Sequence, residues 1–321
     1  MIIETNVDVF PLKKIFTISR GSRSSAEVVT VKISNDGYEG FGECVPYKRY
    51  NETLESVTDQ IKNLKPIKDK SELYKLLPPG AARNALDCAL WDLEAKSKNM
   101  SIEKLTSIDF SPVITSFTLS LDTPKKMGEE AKLHSDLPIL KIKLGGGGQD
   151  IDRIKAIRKF APNSDLIVDA NEGWTLDEYR KLIPHFVEEK IKMIEQPFPS
   201  ENDEELKNIE RPIPICADES CHDASSLDKC VGKYDVINIK LDKTGGLTEG
   251  LNLINKAKSY NFDIMVGCMV GSSLAMAPAL LLAQSAKWVD LDGPLLLSKD
   301  RENPLIYNKS KIQPPNKHLW G

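Results

Sequence analysis

Residues 138–148 read PILKIKLGGGG, and the two lysines inside this stretch decide how the chain is read. Ile139, Leu140, Ile142 and Leu144 are strand formers, so Lys141 and Lys143 fall two apart, on one face of a β-strand. On an antiparallel edge strand that face is wet, and lysine discourages aggregation there. On an inward face two ammonium groups crowd each other, which lowers the lysine pKa and makes a general base. The rest of the chain has to choose between these.

From about residue 112 short apolar runs recur: VITSFTLSL, ILKIKL, LIVDAN, KMIEQP, IPICADES, DVINIKL, DIMVGC and WVDLDG. Helical patterns lie between them, among them DIDRIKAIRKFA, TLDEYRKLIPHFVEEK and EGLNLINKAKSY. Strand alternating with helix predicts parallel βαβ units. Eight strands with seven intervening helices predict an α/β fold, a TIM-like (β/α)7β barrel. An open doubly wound sheet is the second choice, but no G-x-G-x-x-G follows a strand. The run ends then line up. Lys141 and Lys143 lie near the end of the second run. Asp169 ends the third, Glu195 the fourth, Asp218 the fifth and Lys240 the sixth. Cys268 ends the seventh, and Asp290 and Asp292 the eighth. In a barrel these ends converge on one mouth. Surface charges would not recur once per repeat at a strand end, so the two lysines are expected to point inward.

The first third mixes elements. MIIETNVDVFPL and AEVVTVKIS alternate like half-buried strands, and SNDG before YEGFGEC is a hairpin signal. NETLESVTDQIKNL, KSELYKLL and GAARNALDCALWDLEAKSKN read as helices. An α+β segment over residues 1–110 and a barrel over 111–298 follow.

Composition narrows the function. The 321 residues are 40% hydrophobic and 28% charged, with a formal net charge of −4, which gives no reason to expect nucleic acid as a partner. No apolar run approaches membrane-spanning length, and MIIETNVDVFPLKKIF reads as a strand rather than a secretory leader. Six scattered cysteines without C-x-x-C point to free thiols in a reducing cytoplasm. Four histidines without ligand spacing argue against zinc.

Asp169, Glu195 and Asp218 come from three neighbouring strands. Converging carboxylates repel one another and protonate unless a cation joins them, and an all-oxygen set favours Mg²⁺, with Mn²⁺ as a substitute. Separate salt bridges or caps are the plainer alternative, but all three carboxylates sit at equivalent repeat positions, which puts the metal ahead. Glu219 is expected to point away along the strand. Lys141 and Lys143 lie on one side of the carboxylates and Lys240 lies across the barrel. A metal between two bases suits one reaction class. One lysine removes the proton α to a carboxylate, the metal steadies the enediolate, and the opposite lysine returns a proton to the other face. The D-x-D of Asp290 and Asp292 suits a substrate ammonium and a capped strand end equally well. GGGG at 145–148 and KTGG at 243–246 read as turns, and Lys243 falls beyond the strand end, so Lys240 is preferred.

The sequence resembles the enolase superfamily, in its muconate-lactonising subgroup, and within it the dipeptide epimerases of the L-Ala-D/L-Glu type. The likeness runs nearly end to end through ISRGSRS, GECVPYKRYNE, LPPGAARNALDCALWDL, KIKL, IVDANEGW, EQP, ICADESCH, NIKLDKTGGLTEG, GCM and DLDGP. It implies a cytoplasmic isomerase serving murein-peptide turnover, free to form a homo-oligomer, whose partner is a small dipeptide. It implies Mg²⁺ on Asp169, Glu195 and Asp218, and acid/base roles for Lys143 and Lys240. Lys141 would bind the substrate carboxylate and hold the Lys143 pKa down. Asp290 and Asp292 would bind the dipeptide ammonium, and Thr118, Cys268 and Val270 would line the site. Arg20 would reach the glutamyl side chain, with Arg23 as the other choice, and PYKRYNE would form a second specificity loop. Residues 1–110 would cap the barrel, completed by a tail over 299–321. Epimerases of other dipeptides, N-acyl amino acid racemases and o-succinylbenzoate synthases share the chemistry.

Overall fold

A computed structural model describes residues 1–145 and 147–321; of the GGGG turn, Gly146 lies outside the described residues. The chain opens with an antiparallel sheet of β1 (Ile2–Ile18), β2 (Gly21–Asn35) and β3 (Tyr38–Cys44). Asp36 and Gly37, with φ of 49° and 83°, make the two-residue hairpin that SNDG predicted. The helix Ala81–Ser97 lies against this sheet. A Cβ on Gly40 would sit 2.2 Å from the Ala89 carbonyl oxygen, and one on Gly42 2.0 Å from that of Ala85. The glycines of YEGFGEC therefore let helix and strand backbones touch.

The other face of that helix is polar yet buried, because it meets the barrel. Arg83 donates to the Thr244 and Gly245 carbonyls at 2.7 and 3.1 Å, and Asn84 to Asp242 at 2.9 Å. Asp87 accepts from the Thr248 amide at 2.9 Å, at the start of the helix Leu247–Ser259. This is why a helix that carries Arg83, Asn84 and Asp87 is buried on nearly every side.

β4 (Val113–Ile114) is followed by the barrel strands in chain order: β5 (Phe117–Leu119), β6 (Ile139–Lys143), β7 (Asp165–Asp169), β8 (Ile191–Glu195), β9 (Ile215–Ala217), β10 (Val236–Ile239), β11 (Asp263–Gly267) and β12 (Trp288–Asp290). Neighbours pair in parallel. Among the described residues no strand ladder joins β12 to β5. The Ser116 amide donates to the Val289 carbonyl at 2.8 Å and nearly closes the cylinder.

Two expectations are corrected. VITSFTLSL is not one strand: β4 pairs with the tail strand β14 (Lys311–Ile312), itself paired with β13 (Tyr307–Asn308), and only β5 enters the barrel. Among the described residues, five of the seven connections carry α-helices, not all seven. The β8–β9 and β9–β10 connections hold only 3₁₀ turns. Pro197, Pro199, Pro212 and Pro214 break the first, and the second is short and rich in Ser and Asp.

The tail crosses back over the first sheet. Arg301 donates to Thr30 and Glu43 at 2.7 and 2.6 Å, and the Trp320 indole to the Cys88 carbonyl at 3.0 Å. Among the described residues no helix is long and apolar enough to cross a membrane.

Candidate active site

The period-2 alternation of the barrel strands builds the site. Ile139, Ile167, Met193, Cys216, Val236, Met265 and Trp288 pack together as one apolar layer. Two residues further along each strand, on the same face, come Lys141, Asp169, Glu195, Asp218, Asn238, Gly267 and Asp290. Two further on come Lys143, the last residue of β6, and Lys240 and Asp292, just past the ends of β10 and β12. Alternate residues such as Leu140, Ile142, Val168 and Ile194 belong to the large core outside. In parallel register Lys143 lies beside Asp169, and Asp169 beside Glu195.

The charged layer is buried and cross-linked. Lys141, 1% exposed, places its ammonium 2.6 Å from Glu195, 2.6 Å from Asp290 and 3.4 Å from Asp169. Lys143 lies 2.6 Å from Asp169. Lys240 lies 2.5 Å from Asp218 and 3.9 Å from Glu195. Lys243 is spent on the scaffold: it donates to the Asp218 side chain and to the Asp218, Cys221 and Asn238 carbonyls, at 2.5–3.0 Å.

For Lys141 this corrects the idea that crowding depresses a lysine. Burial pulls the Lys141 pKa down, but Asp290, Glu195 and Asp169 outweigh it and hold it well above the usual lysine range. Lys240 is likewise raised, burial being overcome by Asp218 and Glu195. The carboxylates divide. The Asp169 carboxyl is held down to about 2, its burial overcome by Lys143 and Lys141. Asp218 is also held well below the usual carboxylate range, its burial overcome by Lys240 and Lys243. Glu195 is raised by burial and by Asp169. Asp292 is pushed up to about 7 by burial and Asp290.

A cavity of about 1040 Å³ opens above this layer. Of the twelve residues singled out in the sequence, ten line it: Arg20, Thr118, Lys141, Lys143, Asp218, Lys240, Cys268, Val270, Asp290 and Asp292. Asp169 and Glu195 lie beneath. Among the described residues no three carboxylate, His or Cys side chains surround a single point; Asp169, Glu195 and Asp218 are bridged by lysines instead. The chemistry of the donors still fits a hard cation. The set is all oxygen, and Asn171 Oδ1, Asn238 Oδ1 and Glu219 Oε2 are buried acceptors without a hydrogen-bond donor.

Asp290 does much of its work at the barrel seam. One oxygen accepts from the Ser116 hydroxyl at 2.8 Å and the other faces Lys141. Asp292 accepts from the Thr118 amide at 2.6 Å.

Two expectations about the mouth change. β9 ends at Ala217, so strand alternation no longer governs Glu219. Its side chain turns to the cavity, accepts from Arg20 at 2.7 Å and is pushed up to about 7, chiefly by burial and by Asp218. Arg20 is heavily engaged, with four of its five N–H groups taken: it also donates to the Asn171 carbonyl at 2.8 Å, to Glu172 at 3.2 Å and to the Tyr47 hydroxyl at 3.1 Å. Arg23 lines the same cavity, 5.8 Å from the Tyr47 ring centre, and among the described residues it has no carboxylate within 4.0 Å. A pair the sequence reading passed over, Arg49 and Glu172, meets in a two-pronged salt bridge at 2.8 and 2.9 Å. PYKRYNE and DANEGW were noticed as motifs, but nothing in either names the other.

Comparison with known proteins gives two family matches. Residues 2–106 match the mandelate racemase / muconate lactonizing enzyme N-terminal domain, and residues 126–318 the enolase C-terminal domain-like family. An N-acetyl-D-glutamate racemase from a Pseudoalteromonas species is 46% identical over 92% of this chain and 95% of its own. The L-Ala-D/L-Glu epimerase of Escherichia coli K12 is 43% identical over 95% and 97%. An enolase family member from Agrobacterium tumefaciens, with homology to dipeptide epimerases, was solved with sodium, L-Ala-L-Glu and an ordered loop. It superposes with a TM-score of 0.95 at 44% identity, over 99% of both chains. A dipeptide epimerase from Enterococcus faecalis, complexed with Mg and L-Leu-L-Tyr, does so with a TM-score of 0.90 at 29% identity, over 98% of this chain and 96% of that one.

Proposed function

The chain belongs to the mandelate racemase/muconate lactonizing enzyme family of the enolase superfamily, and from that premise we propose that it is a cation-dependent epimerase of dipeptides of the L-Ala-D/L-Glu type. One observation carries this reading. Lys143 on β6 and Lys240 at the end of β10 are four strands apart in an eight-stranded barrel, on opposite walls of one cavity. An α-carbon held between them presents one face to each lysine.

In this reading Lys141 draws the substrate carboxylate down to the charged layer. One lysine takes the α-proton and the other delivers a proton to the opposite face, which inverts the centre. Asp169, Glu195 and Asp218 would hold Mg²⁺, with Mn²⁺ as the expected substitute; the cation would neutralise charge building on the substrate carboxylate as the proton leaves. Lys240, held protonated by Asp218 and Glu195, has to leave them to serve as base. Asp292 faces the dipeptide ammonium with its remaining oxygen. A cytoplasmic role in murein-peptide turnover is the setting this substrate implies.

Arg23, rather than Arg20, is the proposed contact for the glutamyl side chain, since Arg20 already faces two carboxylates, Glu172 and Glu219, and Arg23 faces none among the described residues. Arg23→Ala is expected to raise KM for glutamyl substrates about 10- to 100-fold, the worth of a charge-assisted hydrogen bond. Steady-state kinetics with L-Ala-L-Glu would check it, and an unchanged KM would remove Arg23 from the site.

A second reading has its own support. Asp290 is already engaged by Ser116 and Lys141, which leaves Asp292 alone for an ammonium, and one relative is an N-acetyl-D-glutamate racemase. Both substrates pair an α-proton with a glutamyl carboxylate; they differ in whether the amine end is charged. The test is proton NMR in D₂O with Mg²⁺, comparing L-Ala-L-Glu with N-acetyl-D-glutamate. Loss of the glutamyl α-proton signal from the dipeptide is expected, with the other diastereomer appearing. Exchange of the N-acetyl compound alone would establish the second reading, and exchange of neither would sink both.

A further inference from the structure

Asn171 and Glu172, just past the end of β7, both adopt the left-handed conformation, with φ of 45° and 65°. Side-chain-bearing residues rarely do so, and two in succession need a compensating arrangement. The turn offers two groups to the N-terminal segment. The Asn171 carbonyl accepts from the Ser19 hydroxyl at 3.0 Å and from Arg20 at 2.8 Å. The Glu172 carboxylate, 7% exposed, accepts four times. Oε1 receives Arg49 Nη2 and the Ser200 amide, both at 2.9 Å. Oε2 receives Arg49 Nε at 2.8 Å and Arg20 Nη1 at 3.2 Å. Arg20 belongs to the turn between β1 and β2, and Arg49 to the turn Lys48–Tyr50. Both turns line the cavity. One side chain thus ties together four segments: two from the N-terminal part, and the βα loops after β7 and β8.

We propose that Glu172 is a positioning residue, the latch that holds both mouth loops down on the barrel. The charge logic is specific. A carboxylate can satisfy two guanidinium groups at once, and the fork of Arg49 fixes its orientation. Closing a mouth over a reacting centre excludes water and fixes the substrate, so the latch acts on binding before it acts on chemistry. The proposal rests on the reading of the cavity as the substrate site, but its first test needs no substrate.

Hydrogen–deuterium exchange of the full chain, free of substrate, would be compared between wild type and Glu172→Gln. Glutamine keeps the shape and an acceptor for Ser200 but loses the charge. Amides at 19–24 and 46–52 are both expected to exchange about tenfold faster, as for one lost charge-assisted hydrogen bond, while the helix Ala81–Ser97 stays at its wild-type rate. Either loop keeping its wild-type protection would overturn the latch. Arg49→Lys breaks the fork from the other side. It is expected to loosen 46–52 and leave 19–24 held through Arg20, and protection unchanged at 46–52 would overturn the proposal even if Glu172→Gln failed to fold. In turnover, Glu172→Gln is expected to raise KM for glutamyl substrates more than it lowers kcat. A wild type inactive on every substrate would sink the functional reading and leave the exchange result standing.

Discussion

Lys143→Met and Lys240→Met are each expected to stop epimerisation, with a loss of about 10³-fold or more, the usual scale of a positioned acid–base group. The fold should survive both changes. Without Lys143, Asp169 keeps Lys141 at 3.4 Å and two hydrogen bonds from Asn171. Without Lys240, Asp218 keeps Lys243 at 2.6 Å, and its amide still donates to Gln196 at 2.9 Å. Methionine retains most of the lysine stem, so the walls stay packed. The diagnostic feature is what remains. Each variant keeps one base on one wall, so it should still exchange the α-proton of one epimer with deuterium and be inert toward the other. The two variants should choose opposite epimers. Proton NMR in D₂O on each pure diastereomer reads this directly. Interconversion at the wild-type rate in either variant would defeat the two-base scheme, and loss of all exchange in both would mean that neither lysine acts alone.

That scheme could be read from sequence because strand alternation carries it. Lys141, Asp169, Glu195, Asp218 and Asp290 each stand two residues above an apolar residue of the barrel floor, once per repeat, and repetition of that kind survives in one dimension. Partnership does not. Lys141 finds Asp290 across the barrel seam, 149 residues away, and this pairing turns an expected low-pKa lysine into a strongly protonated one. Glu219 was misjudged for a related reason: alternation was extended two residues past the end of β9, where a turn had taken over. The missing helices after β8 and β9 were visible as a run of prolines and as a short Ser/Asp-rich connection, but the expectation of a regular barrel overrode them. Arg20 and Arg23 sit in one heptapeptide, ISRGSRS, and only the position of Glu172 and Glu219 tells them apart. Glu172 itself was unreadable because its role depends on a backbone conformation that glutamate seldom takes.

Chelation is the second large effect. Protein stripped of divalent ions with EDTA is expected to lose epimerisation by about 10³-fold or more and regain it with Mg²⁺, while Glu195→Gln should resist rescue. Glu195 is the informative position because it sits between the others. Lys141 and Asn238 hold its two oxygens, and Lys240 stands 3.9 Å away. Glutamine preserves that shape. Lys141 retains Asp290 and Asp169, and Asn238 retains an oxygen to donate to, so the barrel should fold. What the change removes is one negative charge from an all-oxygen set, and a small, strongly hydrated cation depends on that charge. Titration calorimetry of Mg²⁺ into stripped protein should give binding at least about 100-fold weaker for Glu195→Gln than for wild type. Equal binding would take Glu195 out of the cation site, and full activity in EDTA would take the cation out of the reaction. The pattern also separates the two sets of variants. A lysine variant keeps its Mg²⁺ affinity and exchanges one epimer, whereas Glu195→Gln should exchange neither, because both faces of the α-carbon depend on the same neutralised carboxylate.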